Sequence, residues 1–190
     1  MKHYAALLCS TFMMAQVAPA AAQLPPGLLG GDGSAGPLHS EPFYKNPADG
    51  MWVLMRNPEN DGFKCSVNFF NQDQMLSIHG PWDDAMARKN AGMVWFDSKK
   101  IPNGPARPTP VPITLNSADG PQNVNALHVG MGGKGMLILF IDVKKMVKEK
   151  RDSDRISVTM NGQTVFDQSQ VQFLNAYRRL DQCMQARRSR

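Results

Sequence analysis

Short apolar runs alternate with turn residues along most of this chain, and this pattern restricts the possible folds more than any other feature. Between Phe63 and Phe70, apolar residues occupy every second position, which is typical of a strand with one buried face. Comparable runs recur from Met51 to Phe166, separated by segments rich in Gly, Pro, Asn and Asp. Strands joined by short turns pair antiparallel. We therefore expect a mainly antiparallel sheet or sandwich of about eight or nine short strands.

The clearest helix signal lies near the C-terminus. Ser169 and Gln172 have the spacing of a capping box. The apolar residues that follow recur at steps of three and four, which predicts a helix with one buried face: Phe173, Ala176, Tyr177, Leu180, Cys183 and Met184. The fold class predicted from these patterns is α+β, with the C-terminal helix packed on the sheet.

The N-terminus has the three-part layout of a cleavable signal peptide from Met1 to about Ala22. Lys2 gives a positive start, a short apolar stretch follows, and Ala20-Ala21-Ala22 fits a cleavage site. The apolar stretch is shorter than the roughly 20 residues that a transmembrane helix needs. A membrane anchor or an ordinary buried helix is the alternative. No later segment is apolar enough to span a membrane, so we expect a periplasmic or secreted protein.

If the protein is exported, its remaining cysteines are expected to form a disulfide. Of three cysteines, Cys9 falls within the predicted signal peptide, which leaves Cys65 and Cys183 in an oxidising compartment. Cys65 lies on the apolar side of its strand, and Cys183 lies on the apolar stripe of the helix. We therefore predict that they form a disulfide. Two buried free thiols are the alternative.

Composition changes along the chain predict its organisation. Residues 23–49 are rich in Pro and Gly without periodic apolar residues, which predicts a flexible leader. A single globular domain is expected over residues 50–186, followed by the basic tail 187–190. The formal net charge of +5 is too small to argue for nucleic acid, and an exported protein rarely meets it.

Two motifs have candidate chemistry. Residues 130–135, Gly-Met-Gly-Gly-Lys-Gly, resemble a phosphate-binding loop, but they lie between two predicted strands and favour a hairpin turn. His79 or His128 could join a Ser and an acid in a hydrolase site that forms only in space. No Ser stands in a nucleophile-elbow motif, so no catalytic residue is assigned.

Methionine is abundant, and thioethers with imidazoles suit copper(I). The candidate groupings are Met75 with His79, and His128 with Met131 and Met136. Most of the methionines fall at predicted core positions, where Met fills irregular gaps. We expect no resident metal and no cofactor.

Aromatic residues could form a recognition face made of Trp52, Phe70, Trp82 and Trp95. Phe69 and Phe70 are adjacent in one predicted strand, so their side chains must lie on opposite faces. One of them is exposed or covered by a second layer. The aromatic set is the possible binding surface that the sequence indicates.

The layout resembles a loose group of small exported bacterial proteins of unknown function. The matching segments are Met51-Trp52-Val53, Lys64-Cys65-Ser66-Val67 and the helix that ends in Cys183. Some of these proteins look like accessory factors of invasion or secretion systems. The resemblance implies export and a strand-to-helix cysteine layout, and it assigns no functional residue.

Three functions are compatible with these observations. The first is a non-enzymatic periplasmic or secreted domain that binds a protein or an envelope component. The second is an envelope hydrolase with a spatially assembled site, and the third is a copper-handling protein.

Overall fold

The computed structural model of the chain describes residues 39–59, 62–71, 73–81, 84–148, 155–169 and 171–188. The predicted signal peptide and the first part of the predicted leader lie outside these residues, as does Trp82. Within the described part, no helix is both long and apolar enough to cross a membrane.

The described residues form a mostly antiparallel sheet with a C-terminal helix packed on it, which confirms the predicted arrangement. The sheet has ten strands, in the order β1-β2-β3-β4-β5-β8-β7-β6-β9-β10. The strands are β1 (His39–Asn46), β2 (Gly50–Glu59), β3 (Gly62–Asn71), β4 (Gln74–His79), β5 (Ala91–Ser98), β6 (Thr109–Ser117), β7 (Gly120–Met131), β8 (Lys134–Asp142), β9 (Arg155–Met160) and β10 (Gln163–Ser169). The helices are α1 (Asp84–Arg88), α2 (Val143–Lys148) and α3 (Phe173–Arg188).

The predicted count of eight or nine strands is too low, because β1 lies in the segment predicted as a flexible leader. The folded domain therefore starts before Gly50. Pro42 argued against a strand in this segment. However, β1 is an edge strand with an irregular register between Pro42 and Tyr44, and proline is tolerated at such positions. Phe43 and Tyr44 pack against the core and hold the strand in place.

The larger of two buried hydrophobic clusters lies on one face of the sheet, and cross-strand registers set its rows. Trp52 pairs with Phe69, Phe69 with Leu76, Leu76 with Phe96, and Phe96 with Leu137; all five are almost completely buried. This face is referred to below as the inner face. Side chains at the alternate positions lie on the outer face.

The sheet folds over so that its β10 end packs against β4 and β5. The rings of Phe96 on β5 and Phe166 on β10 meet edge to face, with centroids 5.1 Å apart. The side-chain amide of Gln74 accepts a hydrogen bond from the Asp167 backbone N–H at 2.8 Å and donates one to its carbonyl at 3.2 Å. The inner face is therefore enclosed between two layers, one containing β1–β5 and β8 and the other β6, β7, β9 and β10.

Two tight turns follow directly from local sequence. Asn161 and Gly162 connect β9 to β10 with φ values of 52° and 77°, as expected of a type I′ hairpin turn. Gly132 and Gly133 connect β7 to β8 with φ values of 59° and 79°. The glycine-rich segment 130–135 is thus a hairpin turn with its flanking strand residues, as predicted.

Helix α3 packs on β3 and β2 and is bonded to β3 by the predicted Cys65–Cys183 disulfide. The predicted capping box is wrong, because β10 extends through Ser169 and the helix begins at Phe173. Gln172 precedes the helix in a left-handed conformation, with φ of 61°. The indole N–H of Trp52 donates to the carbonyl of Val171 at 2.6 Å, which fixes the entry to α3 against the core. The helix also continues beyond the predicted domain end at residue 186.

Candidate functional site

A break in the ladder between β7 and β8 creates a concavity in the described structure. These strands pair from Met131 and Lys134 only as far as Leu127 and Ile138. Beyond that point β7 continues to pair with β6 as far as Gly120, and β8 continues to pair with β5 as far as Asp142. The two strands therefore separate where the sheet passes from one layer to the other. We refer to the space between residues 120–126 and 139–142 as the β7–β8 cleft.

The cleft opens into a cavity of about 590 Å³ between the layers. This volume falls within the range of about 300–1,000 Å³ that is typical of small-molecule sites. Its deep wall consists of inner-face side chains and the first residue of α3: Leu76, Ile78, Val94, Phe96, Leu139 and Phe173. Half-buried Leu115, Val124, Ile141 and Ile156 continue this apolar wall towards the opening. The interior can therefore accept an apolar group.

The mouth of the cleft is polar and carries charges of both signs. Asp119 lies in the turn between β6 and β7, while Asp142 and Lys145 lie where β8 gives way to α2. The Lys145 backbone N–H donates to the Asp142 carboxylate at 3.0 Å, so Asp142 caps α2. All three side chains are exposed, and among the described lining residues they are the charged ones.

The predicted aromatic surface does not come together in the described structure. Trp52 is 0% exposed and belongs to the core, so it offers no face to a partner. Its register against Phe69 places it on the inner face. Phe70 and Trp95 are half-buried on the outer face, and Trp82 lies outside the described residues. The expectation that Phe69 and Phe70 face opposite ways is confirmed.

A chain of polar side chains crosses the outer face of β3 and β4. The Asn68 amide donates to the Ser66 hydroxyl at 3.1 Å, and the Ser77 hydroxyl donates to the Asn68 carbonyl oxygen. The same Ser77 hydroxyl lies 2.8 Å from Nε2 of His79. Adjacent strand positions explain the arrangement, since Asn68 pairs with Ser77 and Ser66 with His79.

The hydrogen-bonded side chains bring His79 close to Ser77, but the surroundings of both residues oppose nucleophilic catalysis. Burial lowers the pKa of the His79 imidazole to about 3, so the ring is a poor base near neutral pH. Ser77 is 1% exposed, which shields its hydroxyl from a substrate. The indole of Trp95 lies against the imidazole, with ring centroids 4.1 Å apart. These hydrogen-bonded side chains therefore stabilise the contact between β3 and β4.

The candidate copper grouping of His128 with Met131 and Met136 is not assembled in the described residues. His128 is 7% exposed, and its Nε2 contacts the Pro102 carbonyl oxygen at 2.9 Å. Met131 is exposed at the β7–β8 turn, whereas Met136 is buried in a small cluster with Met93. In the described part of the chain, no group of three His, Cys, Asp or Glu side chains is arranged to hold a metal ion.

No protein-family model, curated protein or solved structure matches this chain. The geometry of the cleft is therefore the basis on which a function can be inferred. The sequence did not indicate the cleft, because its position depends on where a ladder between two strands stops. Both strands were predictable, but the apolar residues that predict them continue through Val124 on one strand and Ile141 on the other, with no change where the ladder stops.

Proposed function

We propose that this protein is an exported, non-enzymatic domain that binds an apolar component of the cell envelope in the β7–β8 cleft. The observation that carries the proposal is the β7–β8 cleft of about 590 Å³, whose described lining combines apolar inner-face side chains with polar and charged side chains at the mouth. Clefts of this size, mostly apolar with a few polar groups, are typical of small-molecule sites.

Binding is a better account of this cavity than catalysis. The Ser77–His79 contact lies on the outer face of the sheet, away from the inner-face residues that line the cleft. The low pKa of His79 and the burial of Ser77 also oppose a role as base and nucleophile. The groups at the mouth include carboxylates, an ammonium group, a hydroxyl group and amides, all of which can orient the head of a ligand.

Export is supported by the disulfide together with the signal-peptide pattern of residues 1–22. Disulfides persist in oxidising compartments, so the Cys65–Cys183 bond fits a periplasmic or secreted domain. In this setting, lipids and other amphiphiles of the envelope are the apolar molecules that the domain meets. The resemblance to small exported bacterial proteins points the same way.

The binding proposal can be tested with N-phenylnaphthylamine, a probe that fluoresces when it enters an apolar cavity. The native protein should increase its fluorescence in a saturable manner. Val124→Trp, which places a large ring in the cleft, should weaken binding at least tenfold. Asn123→Trp is the matched control, because Asn123 is the exposed neighbour on the same strand.

Equal probe binding by Val124→Trp and the native protein would show that the cleft is not the site. Circular dichroism of both Trp variants checks that each keeps the native fold. Equal loss of binding in Asn123→Trp would also contradict the proposal, since that position does not line the cleft.

The export proposal has a separate test in the full-length chain expressed with an intact envelope. Mass spectrometry of the periplasmic fraction or the medium should find a mature N-terminus near Gln23. The peptides that contain Cys65 and Cys183 should be linked under non-reducing conditions. A cytosolic, uncleaved protein with both thiols free to alkylation would refute export.

A further inference from the structure

The two ends of the cleft impose different requirements on a ligand. The deep wall offers only apolar side chains, so the inserted part of the ligand must be apolar. Among the described residues, the mouth presents two carboxylates and one ammonium group in addition to the neutral side chains of Ser117, Gln122 and Asn125. A ligand that fits both ends is amphiphilic, with an apolar chain and a charged head.

We propose that the β7–β8 cleft binds a single-chain amphiphile with a zwitterionic head that combines a phosphate with an ammonium group. This inference rests on the proposed function and defines its ligand. The acyl chain of this ligand lies in the cavity between Leu139 and Phe96, and its charged head stays at the mouth, in water.

The size of the cavity limits how many acyl chains a bound lipid can insert. A volume of about 590 Å³ lies in the middle of the range for sites that enclose one small ligand. The opening is bounded by two separating strands rather than by a wide face of the sheet. Phe140, 48% exposed, stands beside the mouth and extends the apolar surface to meet the first carbons of the chain. These features favour one acyl chain over two.

The charges at the mouth select the head. A fatty acid carboxylate would be attracted by Lys145 but repelled by Asp119 and Asp142. An alkylammonium group would be attracted by Asp119 and Asp142 but repelled by Lys145. A zwitterionic head places its ammonium group near the carboxylates and its phosphate near Lys145, so each charge has a partner of opposite sign.

Competition for bound N-phenylnaphthylamine tests this selection. Three competitors with the same chain are compared below their micelle-forming concentrations: myristoyl lysophosphatidylethanolamine, myristic acid and myristylamine. The zwitterionic lipid should displace the probe at a concentration at least about threefold below either of the others, since exposed charge pairs contribute modestly.

Charge reversal identifies the groups responsible. Lys145→Glu should weaken binding of the lysophosphatidylethanolamine about three- to tenfold and strengthen binding of myristylamine. Lys134→Glu is the matched control, because Lys134 is equally exposed but lies at the far end of β8, beside the hairpin turn. This control should leave all three affinities unchanged.

The outcomes separate this inference from the proposed function. Equal displacement by all three competitors, or by the singly charged ones in preference, would overturn the zwitterionic head while leaving an apolar-binding cleft. Displacement only by an extended apolar peptide would also overturn it, in favour of strand addition to the free edges of β7 and β8. Failure of the native protein to bind the probe at all would refute the proposed function itself.

Discussion

Cys65 on β3 and Cys183 on α3 are bonded through their sulfur atoms, with their Cα atoms 6.2 Å apart and a separation of 118 positions in the chain. Both side chains are buried, at 1% and 7% exposure. The bond joins the last helix to a strand in the first half of the sheet. It thus encloses within one covalent loop almost all the strands that line the cleft.

Removal of the disulfide should destabilise the domain strongly. The Cys65→Ala/Cys183→Ala double variant should lose about 4 kcal/mol of unfolding free energy, since a loop of this length greatly restricts the unfolded chain. Urea denaturation monitored by circular dichroism measures the loss. The native protein under reducing conditions is the control and should lose a similar amount. An unchanged urea midpoint in both samples would show that the bond adds no stability.

The disulfide was predictable because it follows from two local patterns and a compartment. Alternation placed Cys65 on the buried side of a strand, and helical spacing placed Cys183 on the buried side of a helix. The Asn161-Gly162 hairpin was predictable for the same reason, since its turn type is set by the residues of the turn itself.

What the sequence did not predict depends on contacts between distant segments. β1 carries Pro42 and follows a Gly-rich stretch, and only its pairing with β2 makes it a strand. Trp52 became a core residue through its register against Phe69 and its bond to Val171. The cleft arises where β7 stops pairing with β8, and no local residue pattern marks that point.

His79 should make the stability of the protein depend on pH. Its folded-state pKa of about 3 lies below the ordinary value of 6.5, so the unfolded chain binds a proton more readily. The contribution of this group to stability is therefore fully present above pH 6.5 and is lost as the pH falls from 6.5 towards 3. At pH 5 the loss should be on the order of 1–2 kcal/mol relative to pH 7.

The unfolding free energies of the native protein and His79→Gln between pH 7 and pH 4 measure this effect. His79→Gln should show a shallower decline, because carboxylates contribute equally to both proteins. His39→Gln, at an exposed position of β1, should keep the native pH dependence. Parallel curves for the native protein and His79→Gln would contradict a buried neutral imidazole.

Two glutamines, Gln74 on β4 and Gln168 on β10, should respond in opposite directions to replacement by leucine. Gln168 is 2% exposed, and among the described residues neither its amide nitrogen nor its amide oxygen has a hydrogen-bond partner. Gln168→Leu should therefore stabilise the protein by about 1–2 kcal/mol. Gln74→Leu removes both bonds to the Asp167 backbone and should cost about 1–3 kcal/mol.

Thermal and urea unfolding of both leucine variants test the pair. The sign matters more than the size, because both substitutions exchange the same side chains. Destabilisation by Gln168→Leu equal to that by Gln74→Leu would mean that the Gln168 amide has a partner in solution, such as an enclosed water molecule.

Two glycines should differ in their tolerance of alanine for different physical reasons. Gly162 has a φ of 77°, and a Cβ atom there would meet nothing within 4 Å, so Gly162→Ala should cost only the conformational penalty of about 1 kcal/mol. A Cβ atom on Gly135 would instead collide with the Pro102 carbonyl oxygen and lie 2.8 Å from Cγ2 of Ile101. Gly135→Ala should therefore cost about 2–3 kcal/mol.

Comparing Gly135→Ala with Gly162→Ala tests whether the loop after β5 packs against the β7–β8 hairpin. The Gly130 N–H donates to the Pro105 carbonyl at 2.8 Å, so this loop is bonded to β7 as well as packed on Gly135. Because His128 contacts the Pro102 carbonyl, Gly135→Ala should also shift the NMR signals of the His128 ring, whereas Gly162→Ala should leave them unchanged. Equal stability losses and an unmoved His128 signal would place the loop away from the hairpin.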